Sequence, residues 1–256
     1  MKLIILTQEQ VHTGNLILVN AQYPYHDLPE KYLKKVHANN PDILLIGRIV
    51  NSLTCLMDEI NGWDYITAVS GWRSMDEQIK IYEKSLLENG QFFTEKYVAL
   101  PGHSEHQTGL AIDLAKTTDN IDFIRPDFPY TGVCQTFRIA APSYGFIERY
   151  PKEKETITGI AHEPWHFRYV GTPHAIIMSE KGLVLEEYVD FLKDYAYGTS
   201  TFIYESEEWS ALISYLPALP DAETRLTIDD RFPYSISGNN MDGFIITQWR
   251  KHDGSE

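Results

Sequence analysis

The spacing of apolar residues predicts a helix and then a strand in the first half of the chain. Over residues 43–60, apolar side chains recur at intervals of three and four, the period of a helix that buries one face. Over residues 63–70, the side chains alternate as in a strand. Ser74 and Glu77 then form the sequence signature of a capping box, which predicts the start of a second helix. Arg73 is therefore expected between a strand end and a helix start, where active-site side chains commonly project.

Short strands are predicted for much of the second half of the chain. Residues 146–151 and 156–160 are rich in aromatic and β-branched residues and are joined by a charged turn, which predicts two strands. Beyond Gly198, short apolar runs separated by Pro, Asp, Asn and Gly predict a small C-terminal β subdomain. The chain is thus expected to divide into residues 1–197 and a β appendage of residues 198–256.

The charge and the apolar runs of the chain exclude several classes of partner. Its 256 residues carry a formal net charge of −14, whereas nucleic acids and anionic membrane surfaces are bound by clustered lysine and arginine. The apolar run at the N-terminus is too short for a signal peptide, and no stretch of about 18 apolar residues predicts a membrane-spanning helix. We therefore expect a cytoplasmic protein with no nucleic-acid partner and no membrane anchor.

Residues 104–113 contain the first half of a candidate metal site. They follow the pattern Ser-x-His-x-x-Gly-x-Ala-x-Asp, which separates His106 and Asp113 by seven positions. Gly109 allows the backbone to turn tightly before the strand that is expected to carry Asp113. His103 lies three positions before His106, so either imidazole could be the first ligand. His106 is preferred for its place in the pattern.

A second segment completes the inventory of a catalytic zinc site. About fifty residues on, Glu163 and His166 form a Glu-x-x-His pattern. Two imidazoles, one ligating carboxylate and one spare glutamate suit zinc catalysis, because zinc catalysts keep three protein ligands and leave the fourth position for water.

The same segment also matches the His-Glu-x-x-His motif of helical zinc proteases, in which both histidines share one helix face. Here Pro164 cannot donate a backbone hydrogen bond and restricts Glu163 to extended conformations. The residues after it are aromatic and β-branched, as in a strand. We therefore predict an extended segment in which His166 keeps its role as a ligand and His162 has none.

These patterns closely resemble the D-alanyl-D-alanine metallopeptidases of the LAS superfamily, which include the VanX, VanY and VanXY peptidases of vancomycin resistance. The resemblance runs from about Trp63 to Tyr195 and is closest to the VanY and VanXY branch in residues 144–151 and 158–171. It implies an α+β fold in which a central, mostly antiparallel sheet is flanked by helices. Residues 1–197 would then be the zinc D,D-peptidase domain.

The resemblance also implies a role for each matched residue. Three residues are implied to bind Zn²⁺: His106, Asp113 and His166. Two are implied to be catalytic: Glu163 as the general base, and Arg73 as the group that faces the polarised carbonyl. Three are implied to contact the substrate: Ser104 at its carboxylate, Trp165 in shaping the pocket, and Gln78 as a further pocket residue.

The implied reaction is hydrolysis of the D-Ala-D-Ala dipeptide, removal of the last D-Ala from UDP-linked muramyl pentapeptide, or both. The alternatives among enzymes are a strict dipeptidase and an endopeptidase that cuts a different cell-wall bond. A non-catalytic alternative is a zinc-containing peptide-binding domain of the hedgehog type. Such a domain needs neither Glu163 nor Arg73, so the presence of both favours an enzyme.

Overall fold

The structure is a computed structural model, and it describes residues 1–26 and 32–252. The strands are β1 (Lys2–Leu6), β2 (Leu33–His37), β3 (Asn40–Ile46), β4 (Ile66–Ser70), β5 (Ala111–Lys116), β6 (Phe146–Tyr150), β7 (Glu163–Tyr169), β8 (Phe202–Glu205), β9 (Trp209–Pro217), β10 (Thr224–Ile228), β11 (Tyr234–Gly238) and β12 (Gly243–Lys251). The helices are α1 (Gly47–Glu59), α2 (Met75–Asn89), α3 (Gln91–Tyr97), α4 (Gly132–Ala140), α5 (Glu155–Thr158), α6 (His174–Lys181) and α7 (Leu185–Lys193). The chain divides into two compact units, one of residues 19–184 and one of residues 1–18 with 185–256.

The larger unit is built on a four-stranded antiparallel sheet in the order β4-β5-β7-β6. In this sheet Asp113 of β5 lies opposite both Ser70 of β4 and His166 of β7. Opposed residues on neighbouring strands have Cβ atoms only about 5 Å apart on one face, so Asp113 and His166 project side by side. The combination of helices with an antiparallel sheet confirms the predicted α+β fold class.

The predicted helix over residues 43–60 is wrong in its first turn and correct in the rest. Residues up to Ile46 belong to β3, which pairs with β2, and α1 begins at Gly47. The continuous apolar run over residues 43–46 fits a strand as well as a helix, so its period could not separate the two. From Gly47 onwards the helical spacing holds, and α1 buries the apolar face that it predicted.

The capping box that opens α2 is present as predicted. The Ser74 hydroxyl accepts a hydrogen bond from the Glu77 backbone N–H at 3.2 Å, and the Glu77 carboxylate accepts one from the Ser74 N–H at 2.9 Å. These contacts satisfy two backbone donors at the start of α2, so the helix begins at Met75, directly after its N-cap residue Ser74.

The strand predicted over residues 156–160 is wrong, because Glu155–Thr158 forms the single helical turn α5. The backbone N–H of Gly159 donates to the Glu155 carbonyl, and Gly159 adopts the left-handed conformation with φ 75°. A glycine in this conformation closes a helical turn at little cost, and this local effect outweighs the β preference of Ile157 and its threonine neighbours.

The smaller unit contains the predicted C-terminal β strands. Its main sheet is antiparallel in the order β11-β12-β9-β8, and β1 pairs with β10. The buried cluster of this unit draws on both ends of the chain: Leu6, Val11, Leu226, Ile228, Phe244 and Ile246.

The boundary predicted after residue 197 therefore differs from the division between the compact units, which falls after residue 184 and assigns residues 1–18 to the C-terminal unit. The cause is the pairing of β1 with a strand at the other end of the chain, which local sequence patterns do not reveal. Among the described residues, no helix combines the length and apolar character needed to cross a membrane.

Candidate active site

The structure brings the three predicted ligands together in one buried cluster. His106, Asp113 and His166 each offer one ligand atom, and these atoms lie within 4.8 Å of one another. Nε2 of His106 is 3.1 Å from one Asp113 carboxylate oxygen, and Nδ1 of His166 is 2.8 Å from the other. Two imidazole nitrogens and a carboxylate oxygen form a donor set typical of zinc catalysts, so these residues can hold a metal ion.

His106 is positioned by a tight turn and by a hydrogen bond from its ring. It lies on a 3-10 turn of residues 105–108, which ends at Gly109 in the left-handed conformation with φ 73°. Nδ1 of the ring is 2.7 Å from the Gly71 carbonyl oxygen, which can only accept. Nδ1 therefore carries the proton, and the lone pair of Nε2 faces Asp113.

An irregular strand pairing brings Glu163 to the same cluster. Glu148 pairs with Phe167, but Tyr150 pairs with Glu163, so β7 contains extra residues at this point and Pro164 lies among them. Such irregularities redirect side chains. The Glu163 carboxylate is buried, and one of its oxygens lies 4.0 Å from Nδ1 of His166. The extended conformation predicted for this segment is confirmed.

Burial and neighbouring charges set the protonation of the cluster. Burial, together with Arg73, lowers the pKa of His106 to about 4. Burial alone would also lower the pKa of His166, but hydrogen bonds to Asp113 and Glu105 raise it to about 9. Burial opposes ionisation of Asp113, yet His106 and His166 hold its pKa well below the usual range. Without a cation, His166 thus carries a proton that metal binding would release.

Glu163 is the one carboxyl of this cluster with an elevated pKa. Burial, together with the nearby Asp113 charge, raises its pKa to about 8. A carboxyl with a pKa near the working pH can both accept and return a proton, which is the property of a general base.

Arg73 reaches into the cluster from the start of α2. Its Nη2 donates to Asp113 at 3.2 Å, and its Nε donates to the Ser70 hydroxyl at 2.9 Å. Nη1 donates to the Gln78 side-chain oxygen at 3.2 Å, and the Gln78 amide donates to the Ala99 carbonyl at 2.8 Å. Gln78 is completely buried and braces Arg73, whereas its contact with a substrate stays a prediction.

Seven of the eight predicted site residues line one cavity, and Gln78 is the exception. Phe123 and Ile124 line the same cavity from the loop that follows β5. The guanidinium carbon of Arg73 lies 5.7 Å from the centre of the Phe123 ring. Ligand candidates, a buried carboxyl of elevated pKa, a cation and apolar walls thus surround one space.

The two histidines left out of the site lie elsewhere. Nε2 of His162 is 2.8 Å from the Tyr130 hydroxyl and 3.6 Å from the Glu148 carboxylate. Nδ1 of His103 is 2.7 Å from the Asn20 carbonyl oxygen. The structure thus groups His106, and neither of these histidines, with Asp113 and His166.

One buried ionic group beside the site was missed in the sequence. Glu105 occupies the variable position of the Ser-x-His pattern, and its carboxylate contacts Arg149, Arg168 and His166. Burial would raise the pKa of Glu105, but Arg168 and Arg149 hold it below its usual range. A partial signal was present, since each arginine lies next to a tyrosine in a short segment rich in aromatic residues, and an arginine that such a segment buries requires a partner.

Comparison with known proteins places this geometry in a family. The sequence model of VanY, D-alanyl-D-alanine carboxypeptidase, matches residues 44–172. The chain is 48% identical over 181 residues to the bifunctional D-Ala-D-Ala dipeptidase and D-Ala-D-Ala carboxypeptidase VanXYC of Enterococcus gallinarum, which covers 70% of this chain and 95% of that relative.

Two solved structures extend the comparison. The vancomycin resistance D,D-dipeptidase VanXYg, in complex with a D-Ala-D-Ala phosphinate analog, matches with a TM-score of 0.95 and 50% identity over 97% of this chain and 99% of its own. This match includes the C-terminal unit, so the likeness extends beyond the residues that carried it in the sequence. The D,D-pentapeptidase VanY of a VanB-type resistance cassette, in complex with Zn(II), matches with a TM-score of 0.56 and 32% identity over 68% of this chain and 98% of its own. The chain therefore belongs to the VanY family of D-alanyl-D-alanine carboxypeptidases.

Proposed function

We propose that this protein is a zinc-dependent D,D-peptidase of vancomycin resistance. It hydrolyses the D-Ala-D-Ala dipeptide and removes the C-terminal D-Ala of UDP-linked muramyl pentapeptide. The observation that carries the proposal is the grouping of three ligand atoms within 4.8 Å of one another beside the buried Glu163 and Arg73, in one cavity.

The metal ion would be held by Nε2 of His106, the carboxylate of Asp113 and Nδ1 of His166. When bound, zinc supplies Lewis acidity, which polarises a carbonyl oxygen and lowers the pKa of water to about 7. The Zn(II) in the solved VanY relative supports the choice of zinc.

Glu163 moves the proton. Its carboxylate takes a proton from the attacking water and returns it to the amine that leaves. The elevated pKa that burial gives this group supports the role, because a carboxylate with a pKa of about 8 takes a proton from water more readily than an ordinary carboxylate and can still return it to the leaving amine near that pH.

Arg73 and Ser104 orient the substrate. Arg73 stabilises the negative charge that develops on the carbonyl oxygen of the scissile bond, and its bonds to Ser70 and Gln78 hold the guanidinium group in advance of the reaction. Ser104 is buried in the wall of the cavity and contacts the substrate carboxylate. Trp165 forms part of the same wall.

The dual substrate range is supported by the bifunctional relative from Enterococcus gallinarum. A peptide-binding domain without catalysis has no use for a buried glutamate of elevated pKa beside the ligands, so the site supports an enzyme. The UDP-linked precursor is a cytoplasmic molecule, and the proposal therefore includes the predicted cytoplasmic location.

A product assay tests the proposal. The protein is incubated with D-Ala-D-Ala and, separately, with UDP-linked muramyl pentapeptide, and free D-Ala is measured over time. We expect release from both substrates. Release from the dipeptide alone would make the protein a strict dipeptidase, and release from neither would contradict the proposed activity.

A further inference from the structure

The Glu105 carboxylate is a buried group that the proposed reaction does not use. Its Oε1 accepts a hydrogen bond from Nε of Arg149 at 2.8 Å and one from Nη1 of Arg168 at 2.7 Å. The three side chains are almost completely excluded from solvent. Two guanidinium groups on one oxygen hold the carboxylate in a single orientation.

The other oxygen of Glu105 lies toward the three candidate metal ligands. Oε2 is 3.5 Å from Nε2 of His166, on the side of the ring opposite Asp113. An ionised carboxylate can only accept hydrogen bonds, so Nε2 must carry its proton to satisfy this contact. Nδ1 is then the nitrogen that is left to offer a lone pair to a cation.

We propose that Glu105 is a positioning residue, which fixes the orientation and the tautomer of His166 for metal binding while Arg149 and Arg168 hold Glu105 in place. This inference rests on the metal site of the proposed function. Carboxylates that receive the second N–H of a ligating histidine raise the basicity of the ring and restrict its rotation. Glu105 has both the acceptor and the rigid support for this role.

Glu105→Gln tests the inference, because an amide cannot meet both demands. If its oxygen accepts from the arginines, its NH₂ group meets the Nε2 proton of His166, donor against donor. If the amide is flipped, the NH₂ group meets the two guanidinium groups instead. We expect a zinc affinity about 10–100-fold weaker than that of the unaltered protein, measured at one pH by competition with a chromogenic chelator.

Glu148→Gln is the matched control. Glu148 is a carboxylate of the same sheet that is bound by Arg138 and Tyr130. Its replacement removes an ion pair with an arginine, as Glu105→Gln does, and we expect it to leave zinc affinity unchanged. A Glu105→Gln protein that binds zinc as tightly as the unaltered protein would overturn the positioning role. An unaltered protein that binds no zinc would instead overturn the proposed function.

A measurement on the unaltered protein covers the case in which Glu105→Gln does not fold. Long-range ¹H–¹⁵N spectra of the zinc-bound protein report which ring nitrogen of His166 is protonated. We expect a proton on Nε2 and none on Nδ1. The reverse assignment would contradict the inference, since Glu105 would then have no proton of His166 to accept.

Discussion

Replacing Glu163 with glutamine should lower kcat for release of D-Ala by about 10²–10⁴-fold, the range expected when a general base is removed. Glutamine has the same shape but cannot take a proton from water. The site makes this loss hard to compensate, because Glu163 is buried and one of its oxygens lies only 4.0 Å from Nδ1 of His166.

Two controls separate the loss of a base from damage to the protein. Zinc content should stay at the value of the unaltered protein, because Glu163 is not among the three grouped ligands. The free energy of unfolding of the metal-free protein at pH 7 should not fall. Burial raises the pKa of Glu163 in the folded protein to about 8. At pH 7 this carboxyl is therefore ionised in the unfolded chain but protonated in the folded protein, which lowers the free energy of unfolding. Glutamine does not ionise in either state, so it removes that cost. A Glu163→Gln protein that keeps most of its activity would rule out the assigned base.

His166→Ala and His162→Ala should differ sharply in metal content, although both histidines belong to one His-Glu-x-x-His match. His166→Ala removes a ligand, so the purified protein should lose stoichiometric zinc and its activity. The fall in zinc affinity should exceed the roughly 10–100-fold effect of losing a residue that only supports a ligand.

His162→Ala is the matched change outside the site. Its ring contacts Tyr130 and Glu148, so zinc content should not change. Metal analysis of the two purified proteins makes the comparison. Loss of zinc from His162→Ala would instead support the helical zinc protease arrangement that the extended segment excludes.

The grouping of His106, Asp113 and His166 could be predicted because it depends on short local patterns. His106 and Asp113 are close in the sequence, and Gly109 in the left-handed conformation turns the chain between His106 and the strand that carries Asp113. Pro164 marked the second segment as extended. Glu163 and His166 are three residues apart on a strand, yet both side chains line one cavity because the pairing of β6 with β7 is irregular. No sequence pattern indicated that irregularity.

The features that were missed depend on contacts between distant segments. Glu105 meets Arg149 and Arg168 only after β6 and β7 have paired, so its position in the motif carried no sign of its role. The pairing of β1 with β10 is likewise invisible to local periodicity. The helical turn of α5 was missed for a different reason, since the left-handed Gly159 outweighed a local β preference.

The zinc dependence of D-Ala release tests the central claim most directly. The protein is stripped of metal with a chelator, the chelator is removed, and zinc is added back in fractions of one equivalent per chain while release from D-Ala-D-Ala is measured. We expect release to fall to background in the stripped protein and to return in proportion to zinc, with a break at one equivalent. A stripped protein that releases D-Ala at the original rate, or one that binds zinc without regaining activity, would contradict the account.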